Sequence, residues 1–261
     1  SLAGSAAGGA RAPFDGAARG PWVAHVIYYF LPDRGIFGGV KVACRFVELL
    51  GSLGVPAAAV FRDGRAPSWF ECGVPVLSES EALARLGPKD WKMITWPPDH
   101  ERLRALPGRM VCHTQGTDSR MDPVFADREV LLLTCWDQAT EHAPGHFGRD
   151  PIEVGIAIPE HFLFAGGRKR DGLVAYMPRR GADLARACMR AAPDLDFDAM
   201  EGVTEREAAT RLQRAGIYLA TAVGEQFGLP ALEAMAAGCV VVSVPVRGGM
   251  ELLRDGENCV V

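Results

Sequence analysis

The sequence predicts an α/β protein built of two Rossmann-like halves. Three observations carry this. Apolar runs of strand length recur along the chain and alternate with stretches of helical period. A glycine-bearing turn (Gly35, Gly38, Gly39) follows the first apolar run, and a second (Gly224, Gly228) follows a run near the end of the chain. From Thr221 to Pro245 a strand end, a turn, a helix opened by Pro230 and closed by Gly238, and a buried strand follow in direct succession.

The elements follow in order. Residues 22–31 (WVAHVIYYFL) are nearly continuously apolar, as in a central parallel strand. After the glycine turn, Val40, Cys44, Val47 and Leu50 repeat at helical spacing, and residues 55–61 read as the next strand. This β-turn-α-β unit lacks the G-x-G-x-x-G dinucleotide fingerprint. Residues 74–77 read as a short strand, 80–86 as a helix and 91–96 as a strand that Pro97-Pro98 ends. A charged helix is expected at 99–106 and strands at 110–114 and 130–135, with a helix from Trp136. In the second half, strands are expected at 172–176, 195–197 and 217–222. Helices are expected at 182–192, with Leu184, Cys188 and Ala191 inward, and at 204–214, where Thr204 and Glu207 form a capping box.

Composition narrows the classes. The chain has 261 residues, 48% hydrophobic and 23% charged, enough for one large or two modest soluble domains. A formal net charge of −4 carries no nucleic-acid footprint. Seven cysteines without a C-x-x-C pair read as reduced core thiols of a cytoplasmic protein. The longest apolar runs, 130–135 and 239–242, fall far short of a membrane span, so membrane contact is at most peripheral, on the inner face. Residues 1–20 are Ala/Gly-rich without a signal-peptide core and are expected to be a flexible leader. The basic stretch 166–172 (GGRKRDG) reads as a solvated turn in preference to a site for anionic headgroups. His25, His100, His142, His146 and His161 show no metal-ligand pattern and read as structural.

The signature stretch carries the chemistry. A strand feeding a glycine turn and a helix N-terminus offers unpaired backbone N–H groups and a favourable dipole to an anion. Two carboxylates flank it, Glu225 in the turn and Glu233 in the helix. Acids beside a phosphate site make sense where the ligand also presents hydroxyls, because an ionised carboxylate accepts hydrogen bonds from adjacent OH groups. The combination fits a nucleotide sugar.

With Glu225, Phe227, Gly228, Leu229, Glu233, Ala234, Met235, Ala236 and Gly238, the stretch resembles the Glu-x7-Glu signature of the retaining glycosyltransferases of family four. Further on, Gly248, Gly249, Glu251, Asp255, Gly256 and Asn258 resemble that family's next turn. The likeness is tight over 202–261 and loose over 22–162, where 152–162 resembles the cross-over segment in which an apolar strand ends in Ile-Pro. It implies the GT-B fold, two Rossmann-like domains facing across a cleft, either in a short form or truncated at the C-terminus. A leader at 1–20, an acceptor-side domain at 21–158 and a nucleotide-sugar-binding domain at 159–261 follow.

The implied activity is retaining, metal-independent transfer of a sugar from a nucleotide-diphosphate sugar to a hydroxyl acceptor, which is a saccharide, a lipid-linked compound or a small metabolite. No cofactor beyond the donor substrate is implied. Glu225 would contact the donor sugar at its reacting face, Glu233 the ribose hydroxyls, and the amides of Phe227, Gly228 and Leu229 the diphosphate. Arg179 and Arg180 would balance the charge of the leaving diphosphate. Gly38 and Gly39 match the family's first loop near the donor phosphates, and His113 or Gln115 would reach the sugar or acceptor from the first domain. The family's lysine after the arginine is not matched, since Ala182, Asp183 and Leu184 stand there. Asp194, Asp196 and Asp198 alternate like the D-x-D metal motif of the other glycosyltransferase fold, but their setting reads as a turn entering a half-buried strand. A nucleotide-sugar epimerase, a sugar phosphorylase and a non-catalytic nucleotide-sugar-binding subunit remain open alternatives.

Overall fold

The computed structural model describes residues 25–225 and 227–261; the expected leader at 1–20 lies outside them. Two parallel sheets carry the described chain. The first holds β1 (Ile27–Phe30), β2 (Ala57–Phe61), β3 (Val76–Ser78), β4 (Trp91–Ile94), β5 (Arg109–His113), β6 (Val130–Thr134) and β7 (Ile152–Glu153) in the order 3-2-1-4-5-6-7. The second holds β8 (Arg170–Tyr176), β9 (Asp196–Ala199), β10 (Ala215–Ala220), β11 (Val240–Ser243) and β12 (Cys259–Val260) in the order 12-11-10-8-9. Counted within itself, that order is 2-1-3-4-5. Both are doubly wound arrangements, and such sheets bind ligands beyond the carboxyl ends of the strands where the winding reverses. The reversal lies between β1 and β4 in the first sheet and between β8 and β10 in the second.

Helices α1 (Gly38–Ser52), α2 (Glu79–Arg85), α3 (Pro97–Leu103), α4 (Asp122–Ala126) and α5 (Asp137–Phe147) belong to the first sheet; α6 (Ala182–Ala191), α7 (Glu205–Arg214) and α8 (Leu229–Ala236) belong to the second. Central strands are buried along most of their length, as β2 (AAAVF) is throughout, because helices cover both faces. Two clusters fill the faces of the first sheet, one around Tyr28, Ile94 and Leu132 and one around Tyr29, Val40 and Phe61. A third, around Phe162, Leu212 and Ala234, packs α7 and α8 on the second sheet. Thr204 caps α7 in a capping box with Glu207, as the spacing predicts.

The expectations that fail do so for local reasons. The apolar stretch 152–162 is strand only at Ile152–Glu153, on the sheet edge, before a 3-10 turn at Glu160–Phe162. Along α6 the buried residue is Ala185, while Ala191 is exposed, so the inward face is turned from the one the spacing suggests. The basic stretch is not one solvated turn. Its Lys169 reaches beneath α7 and donates to the carbonyls of Leu212 (3.0 Å), Gln213 (3.3 Å) and Ala215 (2.8 Å), the carbonyls that end that helix, and β8 begins at Arg170. No helix among the described residues is long and apolar enough to cross a membrane.

Candidate active site

The winding reversal of the second sheet opens a pocket. It is a shallow cavity of about 70 Å3 that opens to solvent beyond the ends of β8 and β10. Its walls are the turn after β8, with Arg179 and Arg180, the turn after β10, with Thr221 and Glu225, and the start of α8, with Gly228 and Pro230. The apolar residues of both strands (Val174 and Ala175, Tyr218 and Leu219) hold the sheet rigid beneath these turns.

The two turns are stitched together. Thr221 Oγ1 donates to the Arg180 carbonyl at 2.8 Å. Gly181 lies so close that a Cβ there would stand 2.0 Å from the Thr221 carbonyl oxygen, and its φ of 75° favours glycine independently. The turn after β10 is also held from below, since Arg247 N–H donates to the Glu225 carbonyl at 2.8 Å.

At the pocket rim, Arg180 Nη1 and Glu225 Oε2 form an ion pair of 2.5 Å, with side chains 49% and 24% exposed. Arg179 reaches the loop between β1 and α1, where its Nη1 donates to the Ile36 carbonyl. Helix α8 starts on Gly228 in the left-handed conformation (φ 78°, ψ 38°), without a side-chain cap and with Pro230 in the first turn. Its first-turn N–H groups therefore stand at the pocket wall with the positive end of the helix dipole. Phe227 packs its ring on Trp136 at the start of α5, 5.2 Å between centroids.

Helix α1 starts opposite α8. A Cβ on Gly38 would stand 3.6 Å from Leu229 Cδ2, so the two N-termini approach each other across the cleft. Gly39 gives Gln115 its place: a Cβ there would stand 1.9 Å from Gln115 Oε1. Gln115 Nε2 donates to the Gly39 carbonyl at 3.1 Å and to the Tyr29 hydroxyl at 3.5 Å. That leaves the Tyr29 O–H to donate to His113 Nδ1 (2.9 Å) and the His113 Nε2–H to donate to Cys135 Sγ (2.8 Å). Burial pushes the Tyr29 hydroxyl and the Cys135 thiol up, so both stay protonated. It pulls His113 down to about 4, which keeps the imidazole neutral.

Two of the sequence-predicted residues therefore stand elsewhere than expected. His113 has no exposed surface and both ring nitrogens are engaged, so it lies a layer behind Gln115 and not on the cleft wall. Glu233 is 4% exposed and does not line the pocket; its carboxylate is paired with Lys41 of α1. Burial raises its pKa and the Lys41 ammonium opposes that rise. The structure brings Arg179, Arg180, Glu225 and Gly228 together around one pocket; Phe227 and Leu229 do not line it and face Trp136 and Gly38 of the first lobe, where Gly39 and Gln115 also lie. In the alternating aspartates, Asp196 pairs with Arg170 and Asp198 with Arg211, at 2.8 Å for the second pair.

Sequence reasoning passed over Lys41 and Thr221. Lys41 had a signal, a cation directly beside the inward stripe of α1. Thr221 had none, because a threonine at a strand end is ordinary.

Residues 161–261 match the family described as Glycosyl transferases group 1. A phosphatidyl-myo-inositol mannosyltransferase of Propionibacterium freudenreichii is 29% identical over 172 residues, 54% of this chain and 45% of that protein, so the match spans about half the length of that relative. Among solved structures, a glycosyltransferase from Rickettsia africae superposes with a TM-score of 0.60 at 8% identity, over 88% of this chain and 82% of that one. Sucrose-phosphate synthase from Thermosynechococcus elongatus gives 0.60 at 12% identity, over 87% and 83%. The catalytic domain of starch synthase IV from Arabidopsis thaliana, bound to ADP and acarbose, gives 0.57 at 10% identity, over 91% and 86%. At such identities the likeness speaks for the fold alone. Residues 161–261 thus resemble the glycosyl transferases group 1 family, and the two facing sheets form the GT-B fold.

Proposed function

We propose that the protein transfers a sugar from a nucleotide-diphosphate sugar to a hydroxyl acceptor, with retention at the anomeric carbon and without a metal ion. One observation carries the reading: a pocket at the winding reversal of the second sheet joins a helix N-terminus, two arginines and a carboxylate. The diphosphate binds the N–H groups at Phe227, Gly228 and Leu229. Arg179 and Arg180 meet the charge that grows on the diphosphate as its bond to the anomeric carbon breaks, which lowers the barrier where charge develops. The acceptor oxygen forms the new bond to that carbon, and its proton goes to the released diphosphate. Glu225, freed from Arg180 when the diphosphate takes the guanidinium, accepts hydrogen bonds from the donor sugar.

From the opposite side, Gly38, Gly39 and Gln115 complete the cleft, and His113 supports Gln115 through Tyr29. Residues 21–158 serve as the acceptor-side domain and 159–261 as the nucleotide-sugar domain. Retention is carried over from the family resemblance. Metal independence is supported by the pairing of Asp196 and Asp198 with arginines and by the cationic lining that takes a metal's place. The mannosyltransferase relative supports a lipid-linked acceptor and a place in glycolipid synthesis. Contact with the membrane, on its cytoplasmic face, is then peripheral.

Calorimetric titration with UDP, GDP and ADP, followed by incubation of the binding nucleotide's sugars with candidate acceptors, tests this. Binding of one diphosphate and its acceptor-dependent release from the sugar donor are expected. Equal binding of nucleoside mono- and diphosphates would displace the diphosphate from the pocket, and turnover lost on chelation would end metal independence.

A further inference from the structure

The turn assigned to the diphosphate is seated in the other lobe. Phe227 lies in sequence between Glu225 and Gly228, which wall the pocket, yet its half-buried ring packs on Trp136, 5.2 Å between centroids and tilted by 37°. That distance is within the range in which aromatic pairs attract. Cys135, Trp136 and Ala139, all buried, form an apolar cluster on which Val154, Ile156 and Phe227 pack. Phe227 comes from the second lobe and the others from the first.

The socket is firm on both sides. Trp136 stands between Cys135, whose sulfur meets His113 Nε2 at 2.8 Å, and α5, for which it is the N-cap residue. Its side chain gives that helix no cap; the first N–H, of Asp137, donates instead to Glu251 Oε1 of the second lobe at 3.3 Å. Behind Phe227, a Cβ on Gly249 would stand 2.8 Å from the Phe227 carbonyl oxygen and 3.1 Å from its ring. Residues 135–137 are thus tied to the second lobe twice, at Phe227 and at Glu251.

Backbone N–H groups grip an anion best when they are already aimed, because ordering a loose turn subtracts from affinity. Helix α8 begins on Gly228 without a side-chain cap, so its start takes no order from that source. The Phe227 ring supplies it, held by one lobe while its backbone belongs to the other. Trp136 lines no part of the pocket.

We infer that Trp136 is a positioning residue for the donor turn: from the first lobe it seats Phe227 and so holds the N–H groups of 227–229 ready for a diphosphate. The inference rests on the nucleotide reading of the pocket.

The test titrates UDP, GDP and ADP, and the matching monophosphates, into wild type, Trp136→Ala, Trp136→Phe, Phe227→Ala and the double variant Trp136→Ala/Phe227→Ala. For the nucleotide that binds, Trp136→Ala and Phe227→Ala are each expected to weaken the diphosphate about tenfold and the monophosphate less than about threefold. The double variant should be no weaker than either single one. Trp136→Phe keeps a ring in the socket, and the indole N–H has no hydrogen-bond partner among the described residues, so affinity within about twofold of wild type is expected. The inference is overturned if Trp136→Ala binds the diphosphate as wild type does, if both ligands weaken by the same factor, or if the two losses multiply in the double variant. Should Trp136→Ala not fold, Trp136→Leu, which fills the site without a ring, takes its place under the same outcomes. If no nucleotide binds the wild type, the nucleotide reading fails and this inference with it; binding by wild type and Trp136→Ala alike overturns the inference alone.

Discussion

Gly181 and Thr221 meet backbone to backbone: a Cβ on the glycine would stand 2.0 Å from the Thr221 carbonyl oxygen, at a φ of 75°. The contact joins the two turns that wall the pocket. Gly181→Ala is expected to cost about 3 kcal/mol or more, from left-handed strain and a clash with backbone that cannot rotate away. Urea unfolding measures it, and a loss below about 1 kcal/mol would mean that the turns separate freely.

The ion pair of Arg180 with Glu225 is half exposed, so it contributes little to folding. Arg180→Ala is expected to leave the unfolding midpoint almost unchanged while weakening nucleoside diphosphate binding about tenfold or more. Equal affinity in the two proteins, by calorimetry, would remove Arg180 from the pocket's chemistry.

His113 gives the protein a pH dependence with a definite sign. Burial holds the folded imidazole at about 4, against 6.5 unperturbed. Between those values the unfolded chain binds a proton that the folded chain does not, so stability is full above pH 6.5 and is lost as pH falls toward 4. The loss attributable to this ring is about 3 kcal/mol. Burial lowers His142 and His161 in the same direction, so the comparison is with His113→Phe. Its stability should fall less than wild type between pH 7 and 4.5; parallel curves would show that the histidine is protonated in place.

Lys169 closes the carboxyl end of α7 with three carbonyl contacts. Lys169→Met keeps much of the stem and removes the donors. It should cost about 2 kcal/mol and speed exchange in the last turn of that helix. An unchanged unfolding midpoint would show that water replaces the ammonium.

Much of the fold could be read from the chain because strands buried on both faces announce themselves as apolar runs, as residues 57–61 do throughout and 130–134 do at all but Leu131. Thr204 with Glu207, and Pro230 with Gly238, placed helix ends because capping is local chemistry. The crossing at 152–162 misled for the same reason, since its apolar residues serve a sheet edge and a 3-10 turn, and composition alone does not separate these from a strand.

The candidate site divides along the same line. Arg179, Arg180, Glu225 and Gly228 lie in turns whose place beyond strand ends follows from winding, so sequence order located them. Glu233 and His113 lie on regular elements, and where their side chains go depends on what packs against them. Lys41 is 192 positions from Glu233, and Cys135 is 22 from His113. No local pattern encodes such meetings.

Among the described residues, every residue lining the pocket falls between Met177 and Val246, on one lobe. In the proposed reaction the departing nucleotide thus keeps most of its grip after the sugar has moved on, because that pocket belongs to the donor's side. If that reaction holds, the spent carrier and the fresh donor contend for one and the same seat, so added nucleoside diphosphate is expected to slow sugar transfer.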